Sequence, residues 1–187
     1  MGGIVKRSLA MVSPEYDRAI AKACGLDDAT RTEGPFLHGV DPMIRVAIIG
    51  ASGYTGAETI RILLRHGEAE ATYLTALPEE CGPMREVFPE FRGRCELPVE
   101  PLDLKKLADS ADVALCCLPH KVSMQFVPEL LKAGLKVIDF SADYRLKDVK
   151  VYEQFYKVAH TDTANLAKAV YGLPELYRAQ ITKAKLV

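Results

Sequence analysis

The chain has 187 residues, which suits one domain of ordinary size with appendages, and its 49% hydrophobic and 26% charged residues are typical of a soluble globular protein. A formal net charge of -1 gives no electrostatic reason to expect nucleic acid or an anionic membrane surface as a partner. No apolar run approaches the roughly 20 residues that span a bilayer, and no secretory signal is recognisable, so a cytoplasmic location is expected.

Residues 1–42 differ in character from the rest of the chain. Gly34-Pro35 and Asp41-Pro42 interrupt a polar stretch, which is typical of a leader or linker. Met43 then stands directly before an apolar strand, so we predict that Met43 is the natural start. The folded domain is accordingly predicted over residues 43–187.

Predicted strands and helices alternate from Ile44 onward. The strands are predicted at 44–49, 71–76, 113–118 and 136–140, and the helices at 57–64, 104–107 and 123–133. Residues 77–101 are predicted to be mostly loop, and beyond Asp143 we expect loops with one further helix around 174–184. This alternation predicts an α/β fold, a Rossmann-type, doubly wound parallel sheet with helices on both faces.

A glycine-rich loop joins the first strand to the first helix, in the sequence Gly50-Ala51-Ser52-Gly53-Tyr54-Thr55-Gly56. In such a loop the first glycine permits a tight turn, the second lets the backbone approach a pyrophosphate, and the third lets the helix pack on the strand. The helix N-terminus adds unpaired N–H groups, and Ser52 and Thr55 add hydroxyl donors. The loop therefore predicts binding of a nicotinamide dinucleotide.

The end of the second strand is expected to lie beside the adenosine ribose of the cofactor. An acidic residue at this position favours NAD, and an arginine favours NADP. The segment after Thr75 has neither at the strand tip. Glu79 and Glu80 lie just beyond and would repel a 2′-phosphate if they faced it, and the nearest basic residue is Arg85. These residues alone leave the choice of cofactor open.

The later strands end in polar residues, and the carboxyl ends of parallel strands line the ligand crevice of such a sheet. Pro119 and His120 are expected near the nicotinamide, with His120 acting either as a proton carrier or in a structural role. Ser141, Asp143 and Arg145 follow the fourth predicted strand. Arg145 either clamps a phosphate or carboxylate or forms a surface pair with Asp143 that orders the turn.

The five cysteines include no CxxC pair, so neither a metal site nor a disulfide framework is predicted. They are Cys24, Cys81, Cys95, Cys116 and Cys117. Cys116 and Cys117 are adjacent on a strand and point to opposite faces, so we expect both to pack in the core.

Four segments together resemble N-acetyl-γ-glutamyl-phosphate reductase, an enzyme family of arginine biosynthesis, over nearly all of residues 43–187. They are GASGYTGAE (50–58), VFPEFRG (87–93), LPHKVSMQFVPELLKAGLKVIDFSADYRLKD (118–148) and AVYGLPELYR (169–178). SADYRLKD with YGLPEL is highly specific to this family, whereas GASGYTG alone also suits aspartate-semialdehyde dehydrogenases.

The resemblance implies a two-domain, homo-oligomeric reductase that uses NADPH to convert an acyl phosphate to an aldehyde through a cysteine thioester, with a histidine in acid–base transfer. In the family that cysteine and histidine lie beyond the position of Val187. We therefore expect no catalytic residue in this chain. The chain would hold the cofactor-binding domain and end where the substrate domain begins. On its own it is expected to be inactive.

The resemblance carries over residue by residue. The cofactor-binding candidates are Gly50, Ser52, Gly53, Tyr54, Thr55, Gly56, Thr75, Pro119 and His120. The substrate-binding candidates are Ser141, Asp143 and Arg145. The family commonly has Ser-Arg after the second strand, where this chain has Ala76-Leu77; NADP is the expected cofactor, with NAD not excluded.

Two other functions remain open at this point. A lysine-pathway reductase of an aminoadipyl phosphate has a similar N-terminal half, and substrate contacts would lie mainly outside this chain. A non-catalytic dinucleotide-binding module is the alternative of another class. A reading frame that continues into the family's Asn-Pro-Gly-Cys segment would favour the enzyme.

Overall fold

A six-stranded sheet forms the centre of residues 43–187, the part of the chain that the computed structural model describes. The strands are β1 (Ile44–Ile49), β2 (Ala69–Ala76), β3 (Gly82–Pro83), β4 (Pro98–Pro101), β5 (Val113–Cys116) and β6 (Lys136–Asp139). Their order is β3-β4-β2-β1-β5-β6; β3 runs antiparallel to β4, and the other pairs are parallel. The predicted leader, residues 1–42, lies outside the described residues.

Helices connect the strands and cover both faces of the sheet. They are α1 (Tyr54–Leu63), α2 (Met84–Val87), α3 (Leu104–Ser110), α4 (Ser123–Lys132), α5 (Val149–Tyr156), α6 (Thr163–Leu166) and α7 (Pro174–Ile181). Short 3₁₀ turns lie at Pro78–Glu80 and Pro89–Phe91. The α/β class and the doubly wound Rossmann-type sheet predicted from the sequence are confirmed.

The two faces of the sheet bury alternate residues of each strand, as the two-residue period of a strand requires. Ala47 and Ile49 of β1 pack in one apolar cluster with Leu107 of α3, Val127 of α4 and Tyr152 of α5. The intervening residues of β1 pack in a second cluster with α1, through Ala57 and Ile60, and with the segment around Phe91. The core is therefore two layers divided by the sheet.

The segment 77–101, predicted to be mostly loop, contains more regular structure than expected. β4 pairs with β2, with Thr75 opposite Glu100, and buries Val99 at the sheet. Its sequence is Pro-Val-Glu-Pro, and prolines at both ends hide the strand signal although they leave the central residues free to pair.

The segment after Asp143 also contains two helices that were not predicted from the sequence, α5 and α6. α5 begins after Asp148, whose side chain accepts hydrogen bonds from the N–H groups of Lys150 and Val151. An aspartate at this position is a standard N-cap, so the signal was present in the sequence.

An apolar groove of about 620 Å³ opens beside β1, β5 and β6, between α1 and the segment 170–172. The last residues extend the sheet at this side, since the Val187 N–H donates to the Val137 carbonyl at 3.0 Å and Leu186 bridges to Val137. No helix within the described part of the chain is long and apolar enough to cross a membrane.

Candidate functional site

The glycine-rich loop leaves β1 at the centre of the sheet, and two of its glycines are required by the chain itself. Gly50 has φ +91, and a Cβ there would lie 2.5 Å from the Cys117 carbonyl oxygen. A Cβ on Gly56 would lie 2.5 Å from the Gly50 carbonyl oxygen. The N–H groups of Gly50 and Ala51 both donate to the Thr75 carbonyl at 2.9 Å, which ties the loop to the end of β2.

Gly53 differs from the other two glycines because nothing within residues 43–187 requires a glycine at this position. Its φ of -86 is accessible to any residue, and a Cβ would meet only the Gly50 carbonyl oxygen, at 3.6 Å. It is the N-cap of α1, and no side chain of the described residues caps that helix end. The open space over Gly53 and the first-turn N–H groups fits a pyrophosphate, which binds where backbone can approach closely at a positive helix end.

Ser52 lies beside this opening and contacts a carboxylate. Its hydroxyl donates to Glu80 Oε2 at 2.6 Å, which brings the turn after β2 against the glycine-rich loop. A serine hydroxyl has one proton, so in this arrangement Ser52 offers an acceptor rather than a donor to a ligand. From the sequence, Glu80 was expected only near the ribose region; in the structure it also contacts the glycine-rich loop.

The remaining cofactor candidates at this end differ in exposure. Tyr54 is 89% exposed, with its ring 6.3 Å from that of Phe88, and Thr55 is also exposed. Thr75 is only 1% exposed, so it contributes through its main-chain carbonyl, which holds the loop. Their roles in cofactor binding stay predictions.

Pro119 and His120 follow β5 and lie against the turn that follows β6. The Ala142 N–H donates to Nδ1 of His120 at 3.2 Å, which leaves Nε2 to carry the proton of the neutral ring. The exposed His120 ring also contacts Tyr156 of α5, with 5.7 Å between centroids. The structure thus holds the imidazole in one tautomer and one place.

The three substrate candidates do not share one environment. Ser141 donates to Asp139 Oδ2 at 2.6 Å and accepts from the Asp143 N–H, so it orders the turn. Asp143 is fully buried, and its Oδ1 accepts from the Lys121 N–H and the Tyr152 hydroxyl, each at 2.8 Å.

Arg145 is exposed at the mouth of the apolar groove, and its guanidinium donates to the carbonyls of Phe140 and Ser141, at 3.4 and 3.2 Å. No ion pair joins it to Asp143 or to another carboxylate within residues 43–187. The surface pair considered from the sequence is therefore not formed. An unpaired guanidinium is the group that would bind a phosphate, and that role stays a prediction.

Several residues that position the site were missed from the sequence. Lys121 has φ +74 and is held in this conformation by Asp143, while Tyr156 supports His120. The buried His160 donates from Nε2 to the Asp143 carbonyl at 2.8 Å, because its Nδ1 accepts from the Asp162 N–H. The spacing of Val149, Tyr152 and Tyr156 on one helix face was the signal for α5.

The two adjacent cysteines at the end of β5 pack on opposite faces, as expected. Cys116 is fully buried in the cluster that contains α4, while Cys117 packs against the other cluster and contacts Thr59. Burial raises the pKa of both thiols, that of Cys117 to about 11. A thiol with so high a pKa is a poor nucleophile at neutral pH.

The chain is similar in sequence to proteins of known function. The family model described as "Semialdehyde dehydrogenase, NAD binding domain" matches residues 45–184. An N-acetyl-gamma-glutamyl-phosphate reductase of Desulfotalea psychrophila is 49% identical over 78% of this chain and 42% of its own length. A [LysW]-L-2-aminoadipate/[LysW]-L-glutamate phosphate reductase of Sulfurisphaera tokodaii is 46% identical with the same coverage.

Among solved structures, an aspartate semialdehyde dehydrogenase with NADP from Candida albicans matches 57% of this chain and 32% of its own, with a TM-score of 0.50 and 22% identity, which shows the shared fold. The chain spans about 42% of the length of the curated relatives it matches. The sheet, the glycine-rich loop and these matches agree on a nicotinamide dinucleotide as cofactor. The chain belongs to the family of semialdehyde dehydrogenase NAD-binding domains.

Proposed function

We propose that this chain is the dinucleotide-binding part of an enzyme that reduces N-acetyl-γ-glutamyl phosphate to N-acetylglutamate semialdehyde. The reaction replaces the acyl C–O bond to phosphate by a C–H bond, consumes a hydride and a proton, and releases inorganic phosphate. The family resemblance implies NADPH as donor, a homo-oligomeric enzyme and a cytoplasmic location. The relative from Desulfotalea psychrophila, which carries this activity in its name, supports the proposal.

Gly53 is the observation that carries the cofactor part of the proposal. Among the described residues no atom excludes a side chain at Gly53, and Gly53 stands at the N-terminus of α1, which no side chain of these residues caps. The bound dinucleotide would supply the hydride. The loop N–H groups would hold its pyrophosphate, His120 would lie beside the nicotinamide with a proton on Nε2, and Arg145 would bind the substrate phosphate.

The cofactor part is tested by titrating the chain with NADH and NADPH and following nicotinamide fluorescence or heat. We expect saturable binding that Gly53→Ala weakens at least about tenfold, since a methyl group would occupy the space of the pyrophosphate while the fold has room for it. Gly67→Ala is the matched control, because a Cβ there meets nothing within 4 Å. Equal binding by both variants would contradict the assignment.

A second substrate is supported by the relative from Sulfurisphaera tokodaii, whose name covers aminoadipate and glutamate phosphates carried on LysW. The test is an assay of the gene product that carries this chain against N-acetyl-γ-glutamyl phosphate and against the carrier-bound aminoadipyl phosphate. A clear excess of kcat/KM for the free acetylated substrate would support the arginine-type activity. The reverse would replace it with the lysine-type activity.

A further inference from the structure

We propose that Glu80 reads the adenosine ribose and makes this domain prefer NADH to NADPH, an inference that rests on the proposed dinucleotide site. The preference is opposite to the one that the family resemblance implies. It follows from the groups that the structure places around the end of β2.

The end of β2 lies directly beside the glycine-rich loop. The Thr75 carbonyl accepts the N–H groups of Gly50 and Ala51, so the residues that follow Thr75 border the mouth of the loop. These are Ala76 and Leu77, neither of which donates a side-chain hydrogen bond, and Leu77 is 60% exposed. A 2′-phosphate at this position would meet an apolar side chain where it needs a cation.

The turn after β2 folds the chain back toward the loop. The Glu80 N–H donates to the Leu77 carbonyl at 2.9 Å, and the Cys81 thiol donates to the same carbonyl at 3.2 Å. This turn brings the Glu80 carboxylate to the Ser52 hydroxyl, 2.6 Å away. The carboxylate is thereby held between the end of β2 and the helix N-terminus, where the adenosine ribose of a dinucleotide lies in this kind of fold.

A carboxylate in that place distinguishes the two cofactors by charge. It has about four lone-pair positions, of which Ser52 uses one, so it can accept both hydroxyls of an unmodified ribose. A 2′-phosphate offers no such donors and brings up to two further negative charges, which the Glu80 carboxylate repels.

The arginines of α1 and α2 are already paired. Arg85 of α2 donates to Glu96 at 2.7 Å, and Arg61 of α1 forms ion pairs with Glu58 and Glu90. To bind a 2′-phosphate, either arginine would have to leave its carboxylate partners. Within the described residues, the surroundings of Glu80 therefore favour the ribose hydroxyls.

The test compares the dissociation constants of NADH and NADPH for the wild-type chain and for Glu80→Gln. In wild type we expect NADH to bind at least about tenfold more tightly than NADPH at low salt, a difference of about 1.4 kcal/mol. Raising the salt from about 20 mM to about 500 mM should narrow that ratio, because screening weakens the repulsion of the 2′-phosphate.

Glu80→Gln keeps an acceptor for Ser52 and removes the charge, so we expect NADPH affinity to rise at least about fivefold with a smaller change for NADH. Glu79→Gln, a neutralised carboxylate in the same turn, is the matched control and should leave the ratio unchanged. Leu77→Arg, which removes an exposed apolar side chain, should move the preference toward NADPH.

Two failures are distinguishable. A wild-type chain that binds NADPH as tightly as NADH, or a ratio that Glu80→Gln and Glu79→Gln change equally, would overturn the role of Glu80 and leave the dinucleotide site standing. Failure of both nucleotides to bind a folded chain would overturn the proposed function, and the role of Glu80 with it.

Discussion

Gly50 shows at the scale of one residue how the loop shape is imposed by the chain. Gly50 and Gly134 have almost the same positive φ, +91 and +90, but a Cβ on Gly134 meets nothing within 4 Å. Gly134→Ala should therefore lower the free energy of unfolding by about 1–2 kcal/mol, through backbone strain alone. Gly50→Ala should cost clearly more, because its Cβ would also overlap the Cys117 carbonyl oxygen. Urea unfolding measures both, and equal costs would mean that the carbonyl contact is not a constraint.

Cys117 illustrates how burial controls the chemistry of a single side chain. Burial raises the pKa of its thiol to about 11, while the unfolded chain releases the proton near the ordinary value of about 8.5. The unfolded state therefore loses its proton first, and the contribution of Cys117 to stability is present below pH 8.5 and falls as the pH rises toward 11.

The same pKa predicts slow alkylation of Cys117. At pH 8 we expect iodoacetamide to label it at least about tenfold more slowly in the folded chain than in the urea-unfolded chain, because the folded thiol holds far less thiolate. Peptide mass spectrometry measures the two rates, with Cys117→Ala to identify the signal. Rapid labelling of the folded chain would show an ionised, accessible thiol instead.

At the scale of elements, α5 is attached to the turn after β6 through one buried hydrogen bond. The Tyr152 hydroxyl donates to Asp143 Oδ1, and burial together with Asp143 raises the pKa of the phenol, so it stays a donor. Tyr152→Phe should cost about 1.5–3 kcal/mol of unfolding free energy, because the buried carboxylate loses a donor.

Tyr156→Phe is the control for that measurement, since the Tyr156 hydroxyl forms no hydrogen bond with the described residues while its ring packs on Tyr152. We expect it to change stability by less than about 0.5 kcal/mol. Similar losses for both variants in thermal unfolding would mean that the hydrogen bond to Asp143 contributes no more to stability than the Tyr156 hydroxyl does.

The end of α5 offers a prediction of the opposite sign. Lys157 ends the helix at φ +55, a left-handed conformation that glycine adopts without strain. Lys157→Gly should raise the unfolding free energy by about 0.5–1 kcal/mol, whereas Gln154→Gly inside the same helix should lower it by about 1 kcal/mol. Thermal unfolding of the two variants compares the effects, and destabilisation by both would show that the side chain of Lys157 matters more than its backbone.

The elements also show what local sequence can and cannot specify. β1, α1 and α4 were predicted because each carries an apolar pattern of its own period and is followed by a glycine, and β6 was predicted from its apolar pattern alone. β4 was not, because Val99 is its one buried residue and its strand character comes from pairing with β2. The contact of Ser52 with Glu80 and that of His120 with Ala142 join residues far apart in sequence, which no local pattern encodes.

At the scale of the whole molecule, β1 lies between β2 and β5. The chain goes from β1 to β2 on one side of β1, and it later returns to form β5 on the other side. The carboxyl ends of these strands form the crevice at the switch of strand order, where this fold class binds its ligands. The glycine-rich loop, the turn after β2 and His120 all border that crevice. A dinucleotide bound in this crevice would contact both halves of the sheet. Its binding should therefore raise the stability of the entire domain.

The resulting prediction concerns global unfolding. A ligand that binds only the folded state at 100 times its dissociation constant adds about 2.7 kcal/mol to the unfolding free energy, and a domain of this size gains roughly 2–4 °C per kcal/mol. We therefore expect NADH to raise the melting temperature of the wild-type and Gly67→Ala chains by several degrees, and that of Gly53→Ala by about half as much or less, because tenfold weaker binding leaves about 1.4 kcal/mol of stabilisation. Calorimetry measures the shift. An equal shift in Gly53→Ala would place the bound dinucleotide away from the glycine-rich loop, since the space over Gly53 is the one feature that this variant fills.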